Sequence, residues 1–179
     1  KAENLKELVN FIKKLKGREK IFILGAGSNT LMTDNLFDGI VIKLNKNFNN
    51  ISLLGEDIVI AGGAVQDRVL SNFAINNNLS GFEFLSCIPG TIGGGIRMNA
   101  GCFGKEFKDI LLSIQAIDVL GNVITMPAKE IKFEYRKTNL PDDLIFLSAS
   151  FKGIKGNEKE IQDLTIELKA QKEKAQPTR

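Results

Sequence analysis

Between Gly81 and Gly104 the sequence holds seven glycines, one proline and few charges. A regular helix or strand does not explain such a stretch. Gly93, Gly94 and Gly95 are consecutive, and each costs roughly 1 kcal/mol relative to alanine in a regular element. Surface loops are seldom this apolar, so close approach of the backbone to a bulky ligand outweighs a flexible loop as the explanation. Within Ile88-Pro89-Gly90-Thr91-Ile92-Gly93-Gly94-Gly95, Pro89 fixes the backbone and the Thr91 hydroxyl is free to donate. Met98-Asn99-Ala100-Gly101 follows directly.

The flanking sequence is more regular. Leu5, Leu8, Val9, Ile12 and Leu15 recur at helical spacing among lysines and glutamates, which predicts an amphipathic helix over residues 3 to 16 ended by Gly17. Ile21 to Leu24 is a buried strand emptying into Gly25-Ala26-Gly27-Ser28-Asn29. Residues 39–44 and 57–61 read as further strands, and residues 65–76 as a helix closed by Asn76-Asn77-Asn78. This opening α, β, turn, β, β, α order predicts a small lobe with parallel or mixed strands. Residues 110–119 and 123–126 flank Leu120-Gly121-Asn122 as a hairpin, and residues 144–151 add a strand, so the second lobe is expected to be mainly antiparallel. Residues 157–174 form a charged helix with Ile161, Leu164 and Leu168 on one side and Pro177 at its end.

Composition removes whole classes of chemistry. The 179 residues contain no histidine, which excludes a Ser-His-Asp triad, a Cys-His pair, His-ligated zinc and a histidyl-cofactor bond within this chain. Cys87 and Cys102 are too few for a four-cysteine zinc site or a disulfide framework, so no metal site is expected and a reducing cytoplasm is the simpler setting. A net charge of +3, from 24 basic and 21 acidic residues spread along the chain, gives no reason to expect a nucleic-acid partner. No apolar run approaches the roughly 18 residues that span a bilayer, and Lys1-Ala2-Glu3-Asn4 does not open a signal peptide. The chain starts without Met, which marks it as a fragment, a processed form or part of something longer.

Two motifs carry anion chemistry. The amides of Gly25-Ala26-Gly27-Ser28-Asn29 can form a nest for a phosphate, or the segment can be a plain strand-to-strand turn. It lacks the dinucleotide fingerprint, because Thr30 stands where the third glycine belongs and no helix follows. In Phe133-Glu134-Tyr135-Arg136-Lys137-Thr138, the Tyr-Arg pair suits carboxylate or enolate oxygens, and an ordinary surface pair is an equal alternative.

Taken in order, Gly25 to Asn29, Ile88 to Gly94, Met98 to Gly101 and Tyr135-Arg136 resemble the motifs of the UDP-N-acetylenolpyruvoylglucosamine reductase family, flavoenzymes of bacterial peptidoglycan precursor synthesis. The resemblance implies an α+β, two-lobed FAD-binding domain of the vanillyl-alcohol oxidase type. Its small α/β lobe would occupy residues 1–78 and its mainly antiparallel lobe residues 79–155. Residues 156–179 would be a connector helix toward a C-terminal substrate domain absent from this chain. Non-covalent FAD would lie between the lobes against Gly25, Ala26, Gly27, Ser28, Asn29, Pro89, Gly90, Thr91, Gly93, Gly94, Arg97, Asn99 and Gly101. NADPH would be the co-substrate, and hydride would pass to a UDP-amino sugar enolpyruvyl ether to give UDP-N-acetylmuramate.

By the same resemblance Arg136 would be catalytic, holding positive charge where an enolate-like intermediate develops, with Tyr135 and Arg136 facing the substrate. The implied protein is a cytoplasmic monomer whose partner is a small molecule, with neither nucleic acid nor membrane. Two departures stand out. Cys102-Phe103 replaces the aromatic hydroxyl that commonly follows Asn-Ala-Gly, and the family's proton-donating serine and assisting glutamate would lie beyond Arg179, as a flavin-contacting stretch would lie before Lys1. The chain alone is therefore expected to lack turnover. Another FAD oxidoreductase of the same fold and a non-catalytic nucleotide-binding lobe are the alternatives.

Overall fold

The computed structural model describes residues 4–176. Helix α1 (Leu5–Leu15) is capped by Asn4, whose side chain accepts from the Glu7 N–H at 3.0 Å. It ends where Lys16 and Gly17 turn left-handed. Strands β1 (Ile21–Ile23) and β2 (Ile40–Ile42) pair in parallel. Leu8 and Ile12, one helical turn apart, pack with Ile42 onto Ile117, Ile145 and Leu147, so α1 and the parallel pair cover one end of the main sheet. Residue 3 of the predicted first helix, and Pro177 as the end of the last, lie outside the described residues.

The next elements are β3 (Ile51–Leu54), β4 (Ile58–Gly62), α2 (Asp67–Asn76) and β5 (Leu79–Ser80). A 3-10 turn (Glu83–Cys87), helix α3 (Ile92–Arg97) and the short hairpin of β6 (Gly101–Cys102) and β7 (Lys105–Glu106) follow. Then come β8 (Leu111–Ile117), β9 (Val123–Pro127), β10 (Phe133–Glu134), β11 (Lys137–Thr138), β12 (Ile145–Lys152), β13 (Ile154–Lys155) and α4 (Glu158–Ala175). The chain is an α+β domain whose five-stranded sheet runs β3-β4-β12-β8-β9, every neighbour antiparallel.

Three features go beyond the sequence reading. The five-stranded sheet joins residues on both sides of residue 78, because β4 pairs with β12 over Gly62 to Ile58; the strand β3, unread in the sequence, completes a hairpin with β4 around Gly55. The glycine-rich stretch contains a helix. In α3 the burial of Ile92 and Ile96 offsets poor propensity, and Gly95 is required because a Cβ there would strike the Phe107 ring. Third, α4 buries Ile161 and Thr165 against the 3-10 turn and α2, while Leu164 stays on the exposed side.

The main core lies between the sheet and helices α2 and α3. Phe82, Phe84, Phe107 and Phe151 form an edge-to-face chain with centroids 6.0 to 6.4 Å apart, a favoured aromatic geometry. Phe107 joins this chain to the back of α3. Replacing Phe107 with Ala should lower the unfolding free energy by about 3–5 kcal/mol, read as a fall in the urea midpoint with unchanged slope; a loss under about 1 kcal/mol would show that α3 does not depend on this ring.

Candidate functional site

Where β4 ends, the chain passes between two other backbones. A Cβ on Gly62 would meet the Phe48 carbonyl and one on Gly63 the Phe146 carbonyl, so this passage needs glycine. Beyond it a short backbone ladder zips residues 63–67 to residues 90–93. The Gly93 N–H donates to Gly63 O at 3.0 Å, the Ile92 N–H to Val65 O at 2.8 Å and the Asp67 N–H to Gly90 O at 3.2 Å. The first amides of α3 are thereby spent inside the protein. Toward the surface this loop presents small residues and the Thr91 hydroxyl.

Facing it is the segment after β1. Between the two lies a cleft of about 520 Å³, within the range of cofactor sites. Ile21 to Ala26 form one wall, and Gly63, Ala64, Thr91, Gly93 and Gly94 the other. Lys43, Gln66, Arg97 and Asp142 bring polar groups to a surface otherwise built from Leu44, Leu144 and Phe146. A Cβ on Gly25 would stand 2.8 Å from Thr91 Oγ1. The amides of Gly25, Ala26 and Gly27 have no hydrogen-bond acceptor among the described residues. Three successive backbone donors without internal partners can serve anionic oxygens.

The structure sorts the remaining predicted site residues. The Ser28 hydroxyl donates to Pro89 O and bolts the two walls together. Ser28, Pro89 and Gly90 line a second groove, of about 680 Å³, which shares Ala26 and Gln66 with the first. Arg136 occupies the tip of the β10–β11 hairpin in a left-handed conformation, and its Nη2 donates to Asn29 Oδ1 at 2.9 Å. Motifs 107 residues apart in sequence thus meet. Tyr135 beside it is 87% exposed.

Two predicted cofactor residues have structural tasks of their own. Asn99 is buried, its amide donating to Glu106 Oε2 and Glu134 O and its carbonyl accepting from the Lys108 N–H, which leaves it no donor for a ligand. Gly101 is small because the opposite strand of the β6–β7 hairpin fills the place of a Cβ. Arg97 does both tasks. It donates to Leu140 O and Leu144 O, at 3.0 and 3.2 Å, and lies over the Phe146 ring, yet still lines the cleft. Burial lowers its pKa, and the charges of Asp142 and Asp143 oppose that effect.

The cleft residues Lys43, Ala64, Leu144 and Phe146 carried no sequence signal, because strands bring them in from separate segments. Gly62-Gly63 did carry one, as a glycine pair closing an apolar strand. Asp67 is the other unforeseen residue. It is completely buried, neither carboxyl oxygen has a partner, and Oδ2 would stand 2.7 Å from a Cβ on Gly90. Burial pushes its pKa from 3.8 to about 8, so the carboxyl beneath the loop is neutral at pH 7.

The family model described as an FAD binding domain matches residues 1–127. The chain is 62% identical over 179 residues to a UDP-N-acetylenolpyruvoylglucosamine reductase of Pelagibacter ubique, covering all of this chain and 59% of that protein. It is 45% identical over 177 residues to the Rickettsia bellii protein of that name, covering 99% and 59%. Its fold superposes on the crystal structure of UDP-N-acetylenolpyruvylglucosamine reductase from Thermus caldophilus with a TM-score of 0.83 at 26% identity, covering 99% of this chain and 63% of that one. Carbon monoxide dehydrogenase from Hydrogenophaga pseudoflava shares the fold, with a TM-score of 0.61 at 16% identity over 86% of this chain and 57% of that one. The chain therefore spans about three fifths of the length of the reductases it matches.

The buried Asp67 carboxyl gives a pH signature. The unfolded chain loses this proton near pH 3.8 and the folded chain near 8, so its contribution to stability is intact below pH 3.8 and is lost as pH rises toward 8. Asp67→Asn should leave stability nearly unchanged at pH 4 and raise it at pH 8, by about 3–5 kcal/mol. Urea unfolding of both proteins at the two pH values measures this; an equal difference at both would show that the carboxyl ionises normally.

Proposed function

The chain belongs to the FAD binding domain family, and from that premise we propose that it is the flavin-holding part of an NADPH-dependent UDP-N-acetylenolpyruvoylglucosamine reductase. The substrate would be the UDP-amino sugar enolpyruvyl ether and the product UDP-N-acetylmuramate. The observation that carries the reading is the convergence of two glycine segments on one cleft, together with the amides of Gly25, Ala26 and Gly27, which have no acceptor among the described residues. Identity of 62% to a reductase so named, over the whole chain, supports the same reaction. A cytoplasmic monomer acting on small molecules is part of this reading. Among the described residues no helix is long and apolar enough to cross a membrane.

The residues present fit FAD. Gly25, Ala26 and Gly27 would hold its diphosphate through backbone N–H groups, with Lys43 and Arg97 adding positive charge to the same cleft. Gly93 and Gly94 leave room for the cofactor where any larger side chain would intrude. Without a histidine in the chain, these residues offer no histidyl bond to the flavin. When bound, the flavin supplies the hydride chemistry between the nicotinamide and the enolpyruvyl carbon.

The work of this chain is to hold and orient. Arg136 would stand at the edge of the flavin site, its guanidinium held by Asn29. A guanidinium placed there can stabilise negative charge that develops on the substrate carboxylate side during reduction. Because Asn29 belongs to the nest segment, a shift of that segment would displace Arg136 as well. Tyr135, exposed beside it, is available to the substrate.

Titration with FAD, followed by quenching of flavin fluorescence, tests the cofactor reading. Gly94→Leu should fold normally, since a Cβ at Gly94 makes only ordinary contact with Thr91 Oγ1 at 3.6 Å, yet weaken FAD binding at least about tenfold by filling the cleft. Unchanged affinity in that variant would remove the cleft from the cofactor site. Arg136→Ala in the intact gene product should retain FAD and slow reoxidation of the reduced flavoprotein by the enolpyruvyl substrate, by about 10² to 10³. Reoxidation at the original rate would remove Arg136 from the chemistry.

A further inference from the structure

The glycine-rich segment is bracketed by the chain's two cysteines. Cys87 is the last residue of the 3-10 turn and leads directly into Ile88-Pro89; Cys102 ends β6, directly after Asn99-Ala100-Gly101. The turn and β6 pack on one another, and the two thiols lie within range of interaction. Both are free in this structure. Phe103 and Gly104, consecutive left-handed residues, form the tight turn that fixes Cys102 on its hairpin. A thiol pair held this way across a segment is placed to bridge it.

We propose that Cys87 and Cys102 form a redox-active pair, a modification site that closes as a disulfide across the two ends of the segment carrying the cleft loop and α3. The site does not depend on the identity of the cofactor. Its substrate class is a low-molecular-weight disulfide such as oxidised glutathione. The two thiols differ in role because they differ in access: Cys87 is 5% exposed and Cys102 is only half-buried.

The exchange balances in two steps. The Cys102 thiolate attacks one sulfur of oxidised glutathione, forming a mixed disulfide and releasing one glutathione thiol. Cys87, after losing its proton to solvent, attacks Cys102 Sγ and expels the second glutathione. Two protein thiols are oxidised to one disulfide while one glutathione disulfide is reduced to two thiols.

The surroundings set the rate. Burial raises the Cys102 pKa, and Cys87 beside it adds to the rise, while the Lys172 ammonium and the Phe103 backbone oppose it. Lys172 reaches in from α4, its Nζ donating to Cys87 O at 2.5 Å. Ser86 Oγ lies 3.6 Å from Cys87 Sγ. With the thiol form favoured near neutrality, closure is slow there and accelerates by roughly tenfold per pH unit until the Cys102 pKa is reached.

The test is incubation of the purified intact protein in glutathione redox buffers, followed by alkylation of free thiols and peptide mass spectrometry. The expected product has lost two hydrogens and yields one peptide cross-linked between Cys87 and Cys102. Cys87→Ala should stop at glutathionylated Cys102, and Cys102→Ser should react at least tenfold more slowly than the parent, with circular dichroism confirming that both variants are folded. If either variant is misfolded, the parent's cross-link alone decides. Stable glutathionylation of both cysteines without a cross-link, or thiols that react only in the urea-unfolded chain, would overturn the proposal.

Discussion

Everything at the cleft depends on the passage of the chain through Gly62 and Gly63. There the backbone comes so close to the carbonyls of Phe48 and Phe146 that a single methyl group would displace it. That contact puts Gly63 O and Val65 O where they accept from Gly93 and Ile92, and so sets the height of the second glycine loop above the sheet. The cost of so many glycines is conformational entropy. It is offset by the burial of Ile92, Ile96 and the Phe107 ring behind them.

Polar groups around the cleft divide into those already satisfied and those left open. Ser28, Asn99 and most of Arg97 bond within the protein, and their task is to hold the walls in place. The amides of Gly25 to Gly27, the Thr91 hydroxyl and the side chain of Lys43 have no partner among the described residues. This division explains why glycine dominates both walls: backbone donors serve an anionic ligand only where side chains stand aside. The Asn29–Arg136 bond then joins the Gly25 to Asn29 segment to the hairpin that carries Tyr135 and Arg136.

Much of the fold was legible because periodicity and punctuation agreed. The apolar spacing of Leu8 and Ile12, the Asn77-Asn78 closure of α2 and the Gly121 hairpin all appear where local chemistry puts them. Failures arose where tertiary contact overrode local preference. No propensity makes Ile92-Gly93-Gly94-Gly95-Ile96-Arg97 a helix, yet packing of its two isoleucines does. The pairing of β4 with β12, across more than 80 residues, had no local signal either. Within the site, motif order singled out Gly25 to Asn29 and Pro89 to Gly94 but carried no sign that the Asn99 side chain is bonded on all sides within the protein. The burial of Asp67 had no sequence signal, since an aspartate in the first turn of a helix is ordinarily a solvated partner of the helix dipole.

The convergence of the two glycine walls on one anionic cofactor is tested most directly by amide hydrogen exchange, residue by residue, with and without FAD. Gly25, Ala26 and Gly27 should exchange freely in the unliganded protein and become protected when FAD is added, while Ile92 and Gly93, already bonded, should be protected in both. FAD binding that leaves the Gly25 to Gly27 amides exchanging at their original rate would contradict this placement.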